Sequence, residues 1–300
     1  MLGIIAGSAA HHVLAGLGVE ESTLAAVETP FGASSPLGYG AVGGAEAVVI
    51  ARHGSGGYHL TAPFVNYRAN IHALKDRNVT QVISWSGPGS IDVELAIGQY
   101  VVPEDVLDET HGRESTFFAG TGLGVIRQNP VFCPRLQGAL QGACEAEGRP
   151  VRRGGTYVCT QGPRLETPAE IRKYRMLGGD YVGMTLCPEV FLARELELCY
   201  AAILYLTNYA EGLKPVAAAP DRLFGGLMSP EEERAQQAAV EALPGLIGRA
   251  AGLLEGTRES CTCQSSMERY RRSGRIGSDW RRWMESASPP PTCSSSRPTG

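Results

Sequence analysis

Short apolar runs alternate along the chain with longer stretches in which apolar and polar residues share a helical period. Runs rich in Val, Ile and Tyr predict strands at 2–6, 46–52, 81–86, 99–107, 155–161, 181–185 and 200–207. Helices are predicted at about 64–77, 135–147, 167–177, 188–198, 231–255 and 264–274. Two helix starts carry explicit signals. Thr167-Pro168-Ala169-Glu170 sets a capping hydroxyl, then proline at the first helical position, then an acid in the first turn, and Ser229-Pro230-Glu231 repeats the arrangement. Strands alternating with helices predict an α/β fold with a mixed or mainly parallel sheet. Three regions lack periodicity: 108–130, polar and Gly-rich; 210–229, rich in Ala, Pro and Gly; and the tail from about 275, which is expected to be disordered.

Composition narrows the classes. The chain has 300 residues, of which 43% are hydrophobic and 19% charged, so it is globular and long enough to bury a sizeable core. A net charge of −4 carries no bias toward polyanions, so no nucleic-acid partner is expected. No apolar run approaches the roughly 20 residues of a membrane span. The N-terminus lacks a basic segment and runs straight into a strand, so the expected location is cytoplasmic. Of the eight cysteines, Cys133, Cys144, Cys159, Cys187 and Cys199 read as small buried hydrophobes. Cys261-Thr262-Cys263 stands apart. No CxxC or HExxH spacing exists and the six histidines form no ligand pattern, so no metal is expected.

Six short motifs could carry chemistry, and each has an ordinary reading beside it. Ala6-Gly7-Ser8 follows the first strand and could wrap an oxyanion, although such turns are usually only turns. Ala51-Arg52-His53-Gly54 ends a strand and offers a planar fork of donors with a further donor beside it, or is a solvated charged loop. Ser84-Trp85-Ser86-Gly87 ends another strand, where ligands of open α/β sheets bind, with Trp85 read as core. Glu166 lies just before a helix cap, in Gln161-Gly162-Pro163-Arg164-Leu165-Glu166-Thr167, where it could enter a pocket or only stabilise the helix dipole. Gly183-Met184-Thr185 precedes Pro188-Glu189, and Asn208 closes a strongly apolar strand. No motif decides alone. Several strands ending in small, hydroxylic, cationic or amide groups are what a shared phosphate-and-heterocycle pocket needs.

Taken in order, Gly-Ile-Ile-Ala-Gly-Ser (3–8), Thr-Pro-Phe-Gly (29–32), Ala-Arg-His-Gly (51–54), Val-Asn-Tyr-Arg-Ala-Asn-Ile (65–71), Gln-Gly-Pro-Arg-Leu-Glu-Thr (161–167), Gly-Met-Thr (183–185) and Pro-Glu-Val (188–190) resemble the trimeric purine nucleoside phosphorylases, including the methylthioadenosine phosphorylases. The resemblance covers roughly residues 2–255. It implies one α/β domain over 1–256 with a distorted central mixed sheet flanked by helices. A C-terminal extension would occupy 257–274 and the tail 275–300. It also implies a homotrimer, or a dimer of trimers, phosphorolysing purine nucleosides without metal or cofactor. On that resemblance the phosphate ligands are Ser8, Arg52, His53, Ser86 and Thr185. Met184 lies under the ribose, Gly87 near base and sugar, Leu165 on the purine face, and His59 near the phosphate and the 5′ side. Glu166 and Asn208 match the 6-oxopurine branch, where the adenine branch has Ser and Asp.

Elementary chemistry agrees. A 6-oxopurine carries an N1–H that a carboxylate accepts, and an amide can donate to N7 or O6 as the base gathers negative charge. Asn208, Glu166 and His53 are therefore the expected catalytic residues. The 5′ group stays open, so inosine or guanosine, methylthioinosine and methylthioadenosine are all candidate substrates. Cys261-Thr262-Cys263 resembles a CxC pair that forms a strained disulfide in some hyperthermophilic members; two unpaired thiols are the expected state here.

Overall fold

A computed structural model of the chain describes residues 1–214, 227–256 and 261–284. In chain order the strands are β1 (Leu2–Ala6), β2 (Glu28–Thr29), β3 (Gly32–Ala33), β4 (Leu37–Val42), β5 (Ala45–Ala51), β6 (Gln81–Ser86), β7 (Gly89–Ser90), β8 (Tyr100–Val102), β9 (Asp105–Glu109), β10 (Val151–Arg153), β11 (Thr156–Thr160), β12 (Tyr181–Gly183), β13 (Cys199–Tyr205) and β14 (Asn208–Tyr209). The helices are α1 (Ala10–Val13), α2 (Tyr67–Asp76), α3 (Pro134–Ala146), α4 (Pro168–Met176), α5 (Leu186–Glu195), α6 (Pro230–Gly256) and α7 (Glu268–Arg272).

Seven strands form one sheet in the order β10-β8-β13-β6-β1-β5-β4, and five form a second in the order β14-β7-β12-β11-β9. In the first sheet β13, β6, β1 and β5 run parallel, while β4 and β8 pair antiparallel to their neighbours β5 and β13. Parallel strands covered on both faces read as continuous apolar runs, and every residue of β1 and β13 is buried. Alternate side chains feed two cores. Ile5, Ile50, Val82 and Leu204 pack with α2 and α5 through Ile71, Leu74, Val190 and Leu192. Ile4, Val49, Ile83 and Ile203 pack with α3 and α6 through Leu136, Leu140, Leu243 and Ile247.

The expected mixed sheet is present, and it is distorted in a specific way. The run 99–107 is not one strand. It breaks after Val102, and Pro103 supplies no N–H for a ladder, so β8 stays in the first sheet while β9 enters the second. The neighbouring segment makes the same crossing: β10 pairs β8, Gly154 and Gly155 take left-handed φ values of 107° and 82°, and β11 pairs β9. Gln137 of α3 donates to the Pro103 carbonyl at 2.7 Å, which satisfies the crossing point. The pattern missed β4 as well. Its Gly38 and Gly40 weaken the strand signal, yet a Cβ on Gly40 would lie 2.4 Å from the Leu17 carbonyl oxygen.

The C-terminal expectations need correction up to residue 284. The helix expected over 264–274 is only α7 plus a 3-10 turn at Cys263–Ser265. Residues 275–284 are packed: Trp283 is buried, and Arg281 pairs with Asp76 of α2 at 2.6 Å. Residues 285–300, and most of the aperiodic stretch 210–229, lie outside the described residues. Among the described residues no helix is long and apolar enough to cross a membrane.

Candidate active site

The parallel strands β5, β1 and β6 are neighbours, and each ends in one predicted motif. Ala6 leads to Gly7-Ser8, Ala51 to Arg52-His53, and Ser86 closes β6. These C-terminal strand ends share one edge, the usual ligand crevice of an open α/β sheet. Gly7 sits at its tightest point. A Cβ there would lie 2.3 Å from the Trp85 carbonyl oxygen and 2.7 Å from Arg52 Nη2. Trp85 is core, as expected, with its indole N–H donating to the Ser8 carbonyl at 3.2 Å.

Arg52 is fully buried and held by a network. Its Nη1 donates to both oxygens of Glu189, at 3.1 and 3.0 Å, and to Ser84 Oγ at 3.0 Å; Nη2 donates to the Trp85 carbonyl at 2.9 Å. Glu189 is equally buried and accepts from Ser84 Oγ and from the Tyr200 hydroxyl. Most of the guanidinium fork therefore faces protein, not an open phosphate site. Arg52 Nε has no hydrogen-bond partner among the described residues, and neither has His53 Nε2.

His53 was expected to donate, and its geometry reverses that. Its Nδ1 lies 2.7 Å from the Leu60 carbonyl, which can only accept, so Nδ1 carries the proton. Burial, reinforced by the Arg52 charge, holds its pKa down to about 3. The ring is then neutral and Nε2 offers a lone pair. Tyr58 stacks on the ring with centroids 4.1 Å apart, while His59 is exposed and packs against Gly54.

The second sheet brings the other predicted residues to the same region by register. Asn208 pairs Gly89, Gly89 pairs Val182, and Val182 pairs Val158. Asn208 and the end of β11 are thus three strand spacings apart, about 14 Å along the ladder. Thr160 ends β11 and donates to Glu166 Oε1 at 2.5 Å. Burial raises the Glu166 pKa, and the Thr160 hydrogen bond works against that rise. Asn208 is buried; its Oδ1 accepts from Thr207 Oγ1 at 2.7 Å and its Nδ2 donates to the Tyr209 carbonyl at 2.8 Å. The carbonyl contact fixes which side of the amide is nitrogen and leaves its second N–H for a ligand. Between the two sheets, Thr185 Oγ1 lies 3.5 Å from Ser86 Oγ, and Ser86 Oγ lies 3.3 Å from the Tyr157 hydroxyl. Gly87 has no room for a Cβ beside Thr207 and Tyr205, Met184 packs on Gly162, and Leu165 is half-buried.

A cavity of 410 Å³ opens beside Glu166 and Thr160, with Arg164 and Lys173 on its wall. A larger hollow of 590 Å³ lies between α6 and Gly16 and Gly43 but shares no residue with the strand-end cluster, so volume alone does not mark the site.

This geometry has known counterparts. The phosphorylase superfamily matches residues 2–244. The chain belongs to that superfamily. It is similar to the 6-oxopurine nucleoside phosphorylase of Pyrococcus furiosus, at 45% identity over 62% of this chain and 72% of the relative. It is also similar to a probable 6-oxopurine nucleoside phosphorylase of Korarchaeum cryptofilum, at 36% identity over 90% and 98% of the two chains. A probable S-methyl-5′-thioinosine phosphorylase of Methanothermobacter thermautotrophicus is 38% identical over 89% of each. Among solved structures, methylthioadenosine phosphorylase from Schistosoma mansoni with adenine superposes with a TM-score of 0.77, at 28% identity over 91% of this chain and 98% of that one.

Within this phosphorylase-superfamily fold, motif reading missed several residues. Glu189 was noted with no role, although a carboxylate amid Leu186-Cys187-Pro188-Glu189-Val190-Phe191-Leu192 demands a buried partner. Tyr157 and Tyr58 sit in apolar or glycine-rich runs with nothing to distinguish them. Arg113, in the aperiodic stretch, donates to the backbone carbonyls of Thr160, Gln161, Met184 and Cys187 and so ties the Glu166 and Met184 loops together.

Proposed function

We propose that the chain phosphorolyses 6-oxopurine nucleosides of the inosine and guanosine type, releasing the free base and ribose 1-phosphate for purine salvage. It is then a purine nucleoside phosphorylase, a pentosyltransferase. The observation that carries this is the convergence of Ser8, Arg52, His53, Ser86 and Thr185 at the strand ends, with Arg52 Nε and His53 Nε2 buried and unpartnered among the described residues. The names of the relatives support the substrate class.

Phosphate is the nucleophile in this reading. Arg52 Nε and the Ser8, Ser86 and Thr185 hydroxyls hold it, while neutral His53 accepts a hydrogen bond through Nε2 from the P–OH of a monohydrogen phosphate. That pairing keeps the proton on one oxygen and leaves the other three unprotonated. Fixing two substrates together can remove about 7–11 kcal/mol of barrier when geometry is ideal. The C1′–N9 bond breaks toward the base, its electron pair passes into the purine, a phosphate oxygen closes on C1′, and the departing purine anion takes its proton from solvent. Asn208 donates its free N–H to the departing base, and Glu166 accepts N1–H. Leu165, Gly87 and Met184 line the base and ribose, and His59 serves the phosphate and 5′ side. No cofactor is required by these steps. The homotrimer, or dimer of trimers, and a cytoplasmic location complete the reading; the reduced buried cysteines are in keeping with that compartment.

A second reading concerns the 5′ group, because similarity to the methylthioinosine enzyme spans most of both chains. One assay separates them: inosine, guanosine, adenosine, methylthioinosine and methylthioadenosine, each with and without phosphate. Phosphate-dependent release from inosine and guanosine is expected. Release that ignores phosphate would overturn the phosphorylase reading, and a preference for methylthioinosine would move the 5′ assignment. Light scattering in solution checks the trimer.

A further inference from the structure

Four cysteines scattered through the sequence meet at one point. The sulfurs of Cys133, Cys199, Cys261 and Cys263 all lie within 4.8 Å of one another. Cys133 immediately precedes α3, and its backbone N–H donates to the Tyr200 carbonyl at 2.8 Å. Cys199 opens β13, tied through its own N–H to the Thr80 carbonyl at 3.0 Å. These two belong to the body of the fold. Cys261 and Cys263 arrive on the C-terminal segment, which contacts of its own hold in place. Ser266 Oγ donates to the Arg194 carbonyl, the Met267 N–H to Glu197, and Arg271 pairs with Glu197 at 2.7 Å. The convergence is therefore a product of the fold. Cys133 and Cys199 are buried, as the sequence led one to expect, and the fold brings two further cysteines beside them.

We propose that Cys133, Cys199, Cys261 and Cys263 form a tetrathiolate site for a zinc-class divalent ion that staples the C-terminal segment to the catalytic body. Zinc–sulfur bonds of about 2.3 Å place tetrahedral thiolates about 3.8 Å apart. The observed spread brackets that value, with Cys199 and Cys261 at 3.3 Å and the others within 4.8 Å. All four sulfurs belong to free thiols, and three of the four residues are buried while Cys261 is half-buried, which leaves an entry side. Four protein ligands leave no coordination position open, so the ion is structural, not catalytic. Each thiol that ligates gives its proton to solvent.

The full chain, produced with zinc in the medium and purified under thiol reductant without chelator, tests this by elemental analysis. About one zinc per chain is expected in the wild type and in Cys144→Ser, whose buried sulfur lies outside the cluster. The double variant Cys261→Ser/Cys263→Ser should lose about tenfold or more of its metal. Cobalt(II) added in place of zinc should give sulfur-to-cobalt charge transfer and tetrahedral d–d bands that the double variant lacks. Circular dichroism of that variant distinguishes lost ligands from a lost fold. Wild-type protein that retains no stoichiometric metal under these conditions overturns the proposal, whether its intact mass reports free thiols or disulfides. Full metal retention in the double variant overturns it equally.

Discussion

The two ends of the candidate site are built on opposite principles. At the phosphate end Arg52 and Glu189 are sealed from solvent, and Ser84, Tyr200 and the Trp85 carbonyl satisfy nearly every polar atom around them. At the end proposed for the purine, the Glu166 carboxylate accepts from Thr160 among the described residues and borders a cavity of 410 Å³. The first end is a nearly saturated network, and in the proposed function it takes the anion. The second leaves its carboxylate beside open space, and in the proposed function it chooses among bases. Stability should therefore concentrate at the first and discrimination at the second.

The largest expected effect follows from cutting the finished end. Glu189→Ala leaves Arg52 charged and buried without its partner, which costs about 3–5 kcal/mol in comparable pairs. Urea unfolding should register that loss together with collapsed phosphate binding. Unchanged stability would show the pair to be dispensable. Next in size, Asn208→Ala should cut kcat by about 10²–10³-fold with little change in the KM for phosphate. A rise in phosphate KM at constant kcat would instead move Asn208 to the anion end.

Base choice comes third. Glu166→Ser with Asn208→Asp should shift the inosine-to-adenosine ratio of kcat/KM toward adenosine by roughly a hundredfold. An unaltered preference would remove both residues from base reading. A smaller contrast is in pH. His53 is held down to about 3, so its contribution to stability is present above the ordinary imidazole value near 6.5 and fades as pH falls toward 3. Glu195 is pushed by burial up to about 7, so its contribution is present below about 4.5 and fades as pH rises through 7. Thermal unfolding across pH 3–8 should steepen on the acid side in Glu195→Gln, because the Glu195 slope that opposes the His53 slope is then gone. The smallest effect belongs to the rim of the open end. Arg164→Ala removes an exposed pair with Glu170 and should change stability by less than about 1 kcal/mol.

Much of the anion end was legible because its residues follow strands. β1, β5 and β6 announced themselves as apolar runs, and what ends a parallel strand faces the crevice. Glu189 was not legible as a partner, since nothing local says which cation a buried acid will meet 137 residues away. His53 was legible as a site residue but not as an acceptor. The Leu60 carbonyl that fixes its proton is set by the loop, not by the motif. The base end was readable only through family resemblance: a cap-adjacent acid and a strand-end amide look ordinary, and β14, β7, β12 and β11 set them three strand spacings apart in one sheet. The cysteine cluster was hidden for the same reason, as its members come from three distant segments.

The missing side chain at position 7 bears on how this enzyme could be re-engineered. With the Trp85 carbonyl oxygen 2.3 Å from where a Cβ would stand, even alanine displaces the turn that carries Ser8. Directed evolution toward a different oxyanion nucleophile therefore has little mutational freedom at that turn. Around Glu166 the neighbouring cavity leaves more room, although Gly87 and Gly162 are walled in as well. Libraries selected for new substrates should accumulate their changes around Glu166 and leave Gly7 untouched.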